Sequence, residues 1–171
     1  MHGLYYFLLV FPLYSGLSFI TNNLAVENPT HHDVVSLYSE WADEMILVLM
    51  AIYFFFMIVS QPNYDLLLKR VALCYVLKAI TQFITIVPQP GGVEECIDVS
   101  FWEFRNCGDM MYSGHTAITF LVLYKTKWRS FLTFAMAYEL VLANWHYMAD
   151  CFIAVIVAYA IEKYIPDESY I

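Results

Sequence analysis

Apolar runs separated by short polar breaks dominate the chain. Six are long enough to predict helices, at about residues 4–20, 44–60, 66–87, 110–124, 130–145 and 147–165. The first carries no Lys or Arg and lacks a clear small-residue cleavage site, so it reads as a span rather than a secretion signal. The second ends at Gln61-Pro62-Asn63, a turn signal. Inside the third, Lys78, Thr81, Gln82 and Thr85 recur at i, i+3, i+4 and i+7 and draw a polar stripe on one helix face. A lysine there either pairs with a buried carboxylate such as Glu139 or offers a cation to a phosphate.

Two polar stretches interrupt the runs. Residues 21–41 include His31, His32 and Asp33, but adjacent histidines point apart and the usual metal-ligand spacing is absent, so a loop is expected. The longest break, about 88–112, opens with Pro88, Pro90, Gly91 and Gly92 and is acidic. It also holds Cys96 and Cys107, which share one side of the expected topology and so could bridge there, whereas Cys74 and Cys151 fall inside apolar runs.

Composition sharpens this picture. The chain of 171 residues is 61% hydrophobic and 14% charged, with a mean hydropathy of +0.59. The expectation is a single all-α polytopic membrane domain, a bundle of six transmembrane helices. A net charge of −8 argues against nucleic acid as a partner. Six spans make the loops alternate sides. Lys69, Arg70, Lys125, Lys127, Arg129 and Lys163 then share a side with both termini, and only Arg105 lies opposite. The positive-inside tendency makes the first side cytosolic.

Candidate chemistry sits where the fourth and sixth runs begin, which this topology brings to one non-cytosolic face. His146 and Asp150 are four residues apart, a spacing that stacks them on one helix face and lets the carboxylate fix the imidazole tautomer. Ser113 and His115 fall where a helix would start, and helix N-termini favour phosphate. Two histidines around an anion pocket suggest phosphoryl transfer, by a phosphohistidine or an acid/base pair. No carboxylate–histidine set near these segments has metal-ligand spacing, so neither metal nor cofactor is expected.

The segment Cys107-Gly108-Asp109-Met110-Met111-Tyr112-Ser113-Gly114-His115-Thr116, followed by His146-Tyr147-Met148-Ala149-Asp150, resembles the sphingomyelin synthase family, a branch of the type 2 phosphatidic acid phosphatase superfamily. Tyr75, Lys78 and Thr85 keep a third spacing of that family, with Lys in place of Arg. Met148 and Cys151 depart from its pattern. The resemblance implies a six-helix membrane fold in the Golgi or plasma membrane, with the site facing the lumen or exterior. It implies transfer of phosphocholine from phosphatidylcholine to ceramide, giving sphingomyelin and diacylglycerol. Ethanolamine- or inositol-phosphorylceramide synthesis, or phosphatase or phospholipase C-like hydrolysis, are the alternatives. His146, oriented by Asp150, would attack phosphorus, and His115 would serve as acid and then base. Lys78, Ser113 and the amides near Gly114 would hold the phosphate. Asp109 would attract the headgroup ammonium or cap a helix, and aromatics including Trp102, Phe104, Tyr112 and Tyr147 could cage it. Lipids are thus the expected partners; homo-oligomerisation stays open.

Overall fold

Capping groups, rather than the ends of the apolar runs, set the helix lengths. The computed structural model describes residues 63–84, 112–143 and 145–167, together with positions 3–6, 8–10, 12–13, 45, 48–52 and 55. Four helices are defined among them: α1 (Tyr64–Ile84), α2 (Gly114–Val122), α3 (Arg129–Leu142) and α4 (Met148–Tyr164). Asn63 starts α1 by accepting the N–H of Leu66 on its side chain at 3.1 Å. Ser113 starts α2 in the same way, its Oγ accepting the N–H of Thr116 at 3.2 Å. At the far end of α2, Thr126 N–H turns back to the Leu123 carbonyl at 2.8 Å and forces the chain over into α3. Leu140 C=O takes the N–H groups of both Trp145 and His146, at 2.9 and 3.2 Å, which closes α3 and aims the chain at α4. Pro166 lies two residues past the end of α4, where the helix cannot continue.

Helix α2 is the centre of the bundle and packs against α1, α3 and α4. The main core follows helical spacing on each face. Leu67, Val71 and Cys74 come from α1, Ala117 and Leu121 from α2, and Ala154, Ala158 and Ile161 from α4. The alanines of α4 let it approach α2 closely. A second cluster, Leu123, Met136, Leu140 and Ala143, seals α3 to the end of α2. Cys74 and Cys151 are buried free thiols within this packing.

The six-span membrane bundle expected from the sequence is not supported. Among the described residues, no helix is long and apolar enough to cross a membrane. At about 1.5 Å per residue, the 9 residues of α2 and 14 of α3 reach only about 14 and 21 Å, against a hydrocarbon core of about 30 Å. The 21 residues of α1 would reach, but they include Asp65, Lys69, Arg70 and Lys78. The multi-pass placement in the Golgi or plasma membrane, with cytosolic termini and a lumenal or exterior site, rested on six spans and falls with them.

The basic residues used to orient that topology have local partners. Lys69 pairs with Asp65 at 2.8 Å one turn earlier on α1. Lys125 pairs with Asp167 at 2.9 Å, and Arg129 with Glu162. Arg70, only 1% exposed, donates Nε and Nη2 to the Ile165 carbonyl at 3.0 and 2.9 Å and stacks 4.7 Å from the Tyr124 ring. These contacts tie the start of α1, the end of α2 and the end of α4 together at one end of the bundle.

Candidate active site at the starts of two helices

At the other end, the starts of α2 and α4 meet beside the C-terminal half of α1. The contact is specific: Ser113 N–H donates to the Asp150 carbonyl at 3.2 Å. Ser113 is the N-cap of α2, with extended backbone, and is fully buried. Its Oγ also accepts from the Thr116 hydroxyl at 3.0 Å. Gly114 and His115 follow in the first turn, where N–H groups have no intrahelical acceptor and the helix dipole is positive.

His146 and Asp150 come together differently from the sequence expectation. His146 lies outside α4, one residue before the N-cap Tyr147, so no shared helix face stacks them. The cap does it instead. Asp150, in the first turn, accepts the Tyr147 N–H on Oδ2 at 2.9 Å, and His146 Nδ1 lies 3.5 Å from the same oxygen. Both side chains are buried. Burial raises the Asp150 carboxyl from 3.8 to about 6; the Tyr147 amide and the charge of Lys78 hold it from going further. The Tyr147 phenol, part-buried, is also raised, first by burial and then by Asp150.

Lys78 reaches the same place from α1. Its Nζ donates to the Tyr112 carbonyl at 3.0 Å, and the residue as a whole is buried, 5% exposed. Gly114 packs beside it: a Cβ there would lie in ordinary van der Waals contact with the Lys78 side chain, 3.4 Å from Nζ. The pairing of Lys78 with Glu139 does not form. Among the described residues, Glu139 Oε2 is buried without a hydrogen-bond partner, and burial raises its carboxyl. Of the polar stripe, Gln82 is also buried, while the Thr81 hydroxyl bonds back to the Lys78 carbonyl at 2.9 Å; Thr85 lies outside the described residues.

His115 is part-buried with its ring 5.8 Å from that of Trp145. Burial first, then repulsion from His146 and Lys78, pushes its pKa from 6.5 down to about 3. It is therefore neutral near pH 7. Cys151, next to Asp150, donates to the Ala137 carbonyl at 3.8 Å, and burial pushes its thiol up to about 11.

His115, His146, Asp150, Lys78, Ser113, Gly114 and Tyr147 thus lie together where the starts of α2 and α4 meet α1. Asp109, the Cys96–Cys107 pair, Trp102, Phe104 and the His31–Asp33 segment lie outside the described residues. Sequence reasoning gave Tyr112 only a place in an aromatic cage and missed Trp145. Tyr112 is instead buried under Lys78 and holds it; the signal was its position just before the N-cap. Among the described residues, no three His, Cys, Asp or Glu side chains are grouped so as to hold a metal ion. No family model matches the chain, and no curated protein matches it.

The arrangement can do three things. Two helix N-termini and an ammonium attract an anion. A carboxylate beside Nδ1 of His146 leaves Nε2 as the nucleophile. A second, neutral imidazole stands by to accept a proton.

Proposed function

We propose that the chain is a phospholipid headgroup transferase that moves phosphocholine from phosphatidylcholine to ceramide through His146. The observation that carries the reading is the Ser113 N–H to Asp150 C=O hydrogen bond of 3.2 Å. It joins the anion-attracting start of α2 to the oriented histidine, so the phosphate seat and the nucleophile share one wall. The lipid nature of the substrates is supported by the resemblance of the 107–116 and 146–150 segments to the sphingomyelin synthase family.

In the first half-reaction, the Nε2 lone pair of His146 attacks phosphorus and the bond from phosphorus to the diacylglycerol oxygen breaks. Protonated His115 gives its proton to that oxygen. A negative phosphate seated beside Lys78 offsets that cation's repulsion of a protonated His115, one of the causes that lower its pKa after burial. In the second half-reaction the ceramide hydroxyl oxygen attacks phosphorus, its proton passes to the now neutral His115, and the P–N bond breaks. His146 is restored. Lys78 and the first-turn amides of α2 stabilise the charge on the crowded phosphorus in both steps.

The test is direct. The purified full chain is mixed with labelled phosphatidylcholine and ceramide in detergent micelles, and products are separated by chromatography. Labelled sphingomyelin is expected, and none from a folded His146→Ala protein. Near-normal turnover by His146→Ala sinks the reading.

A further inference from the structure

We propose that Tyr112 is a positioning residue that holds the Lys78 ammonium at the anion seat; the proposal rests on the function given above. Tyr112 is 1% exposed and grips α1 at two points one turn apart. Its phenol donates to the Cys74 carbonyl at 2.6 Å, and its own carbonyl accepts Lys78 Nζ at 3.0 Å. The ammonium also lies 5.5 Å from the centre of the Tyr112 ring. A lysine stem has four rotatable bonds and no preferred direction of its own. Here backbone and ring of one residue fix where its charge ends.

Tyr112 is well placed to do this for catalysis rather than for packing alone. It directly precedes Ser113, whose N–H meets Asp150 and whose Oγ caps α2. The peptide that holds the cation is therefore continuous with the turn that would hold the phosphate. Gly114, on the other side of the cap, borders the same ammonium: a Cβ built on it would lie 3.4 Å from Lys78 Nζ. Loss of the phenol hydroxyl removes the anchor on α1 while keeping the ring, so the ammonium loses its fixed place without a cavity being made.

The experiment is a double-mutant cycle on the full chain with Tyr112→Phe, Lys78→Met and both together. Inorganic phosphate is the probe, titrated by calorimetry, with the lipid transfer assay alongside and circular dichroism confirming the fold. Tyr112→Phe is expected to weaken phosphate binding about five- to tenfold, as for coupled contacting residues. In the Lys78→Met background the same change is expected to do nothing further. A residue that matters only for packing would lower stability equally in both backgrounds and leave no such coupling. Unchanged phosphate binding in Tyr112→Phe, effects that multiply in the double variant, or no phosphate binding by the unaltered protein each overturn the proposal. Coupled phosphate binding without any lipid product sustains Tyr112 in this role and overturns headgroup transfer.

Discussion

One oxygen of Asp150 serves two neighbours: Oδ2 accepts the Tyr147 N–H at 2.9 Å and lies 3.5 Å from His146 Nδ1. The same atom thereby starts a helix and stands at ion-pair distance from an imidazole. Substitution can separate the two tasks. Asp150→Asn keeps an oxygen for the Tyr147 amide but loses the charge facing His146. Its stability to denaturant is expected to change by no more than about 1 kcal/mol, within the range of cap substitutions. Its turnover is expected to drop by about 10²–10⁴-fold, the scale of a positioned acid–base contribution. Asp150→Ala loses both tasks and is expected to cost a further ~1 kcal/mol of stability. Urea titration and the transfer assay on both variants measure the split. Turnover of Asp150→Asn equal to the unaltered protein would remove the carboxylate from the mechanism.

Stability should depend on pH through His115. Its folded pKa is depressed from 6.5 to about 3, by burial first and by the charges of His146 and Lys78 after it. The unfolded chain therefore binds more protons across that interval, and stability falls as pH drops from about 6.5 towards 3. Asp150 works against this. Its folded pKa is raised from 3.8 to about 6 by burial, so its contribution is greatest below 3.8 and is lost as pH rises through 6. A curve for the protein alone thus mixes opposing slopes. Comparison with His115→Asn isolates one of them: the stability of the unaltered protein relative to the variant should rise between pH 4 and 6.5 and level off above. A relative stability that falls over this interval contradicts a neutral His115 in the folded chain.

Lys78 offers a second handle on the same ring. Lys78→Met keeps the apolar stem and removes the charge that disfavours protonated His115. The His115 pKa, followed by NMR of its ring protons, should rise in this variant. It should stay below 6.5, because burial is the largest cause of its depression and is unaffected. An unshifted His115 would mean that the two groups are not electrostatically in contact.

The cap of α2 was more legible in the sequence than the bounds of the helix: the apolar run covers about 110–124, the helix Gly114–Val122. Ser113 marks a switch from polar to apolar residues, and a hydroxyl in that position has a well-defined use as a cap. The apolar run, in contrast, reads on to about residue 124, past the helix end at Val122, because Leu123 and Tyr124 are as apolar as the helix before them. What ends α2 is a backbone turn, Thr126 N–H to Leu123 C=O, which leaves no mark on hydropathy. The span count failed on that error in length and on the charges along α1. The i, i+4 spacing of His146 and Asp150 brought them together, yet through a cap rather than a shared face, since spacing alone does not say where α4 begins. Lys78 was legible as a cation in need of a partner. That its partner is a main-chain carbonyl, Tyr112, was not, because every residue carries a carbonyl and sequence distinguishes none of them.

Arg70 supplies a test at the end of the bundle away from the histidines. Its guanidinium spans two contacts to one carbonyl, at 3.0 and 2.9 Å on Ile165, while stacking on Tyr124. Among the described residues, Nη1 is buried with no hydrogen-bond partner, so the group already bears a desolvation cost that the other contacts offset. A lysine cannot reproduce the forked geometry or the planar stacking. Arg70→Lys is therefore expected to destabilise the fold by about 1–3 kcal/mol, the penalty for disturbing a buried charged hydrogen-bond group. Because the contacts lie on the start of α1 and the far end of α4, turnover per folded molecule should stay near that of the unaltered protein at a temperature where both are folded. Thermal unfolding and the transfer assay on one preparation decide this. A variant that keeps full stability shows that the Ile165 clamp contributes nothing, and one that keeps stability but loses turnover moves Arg70 into the reaction itself.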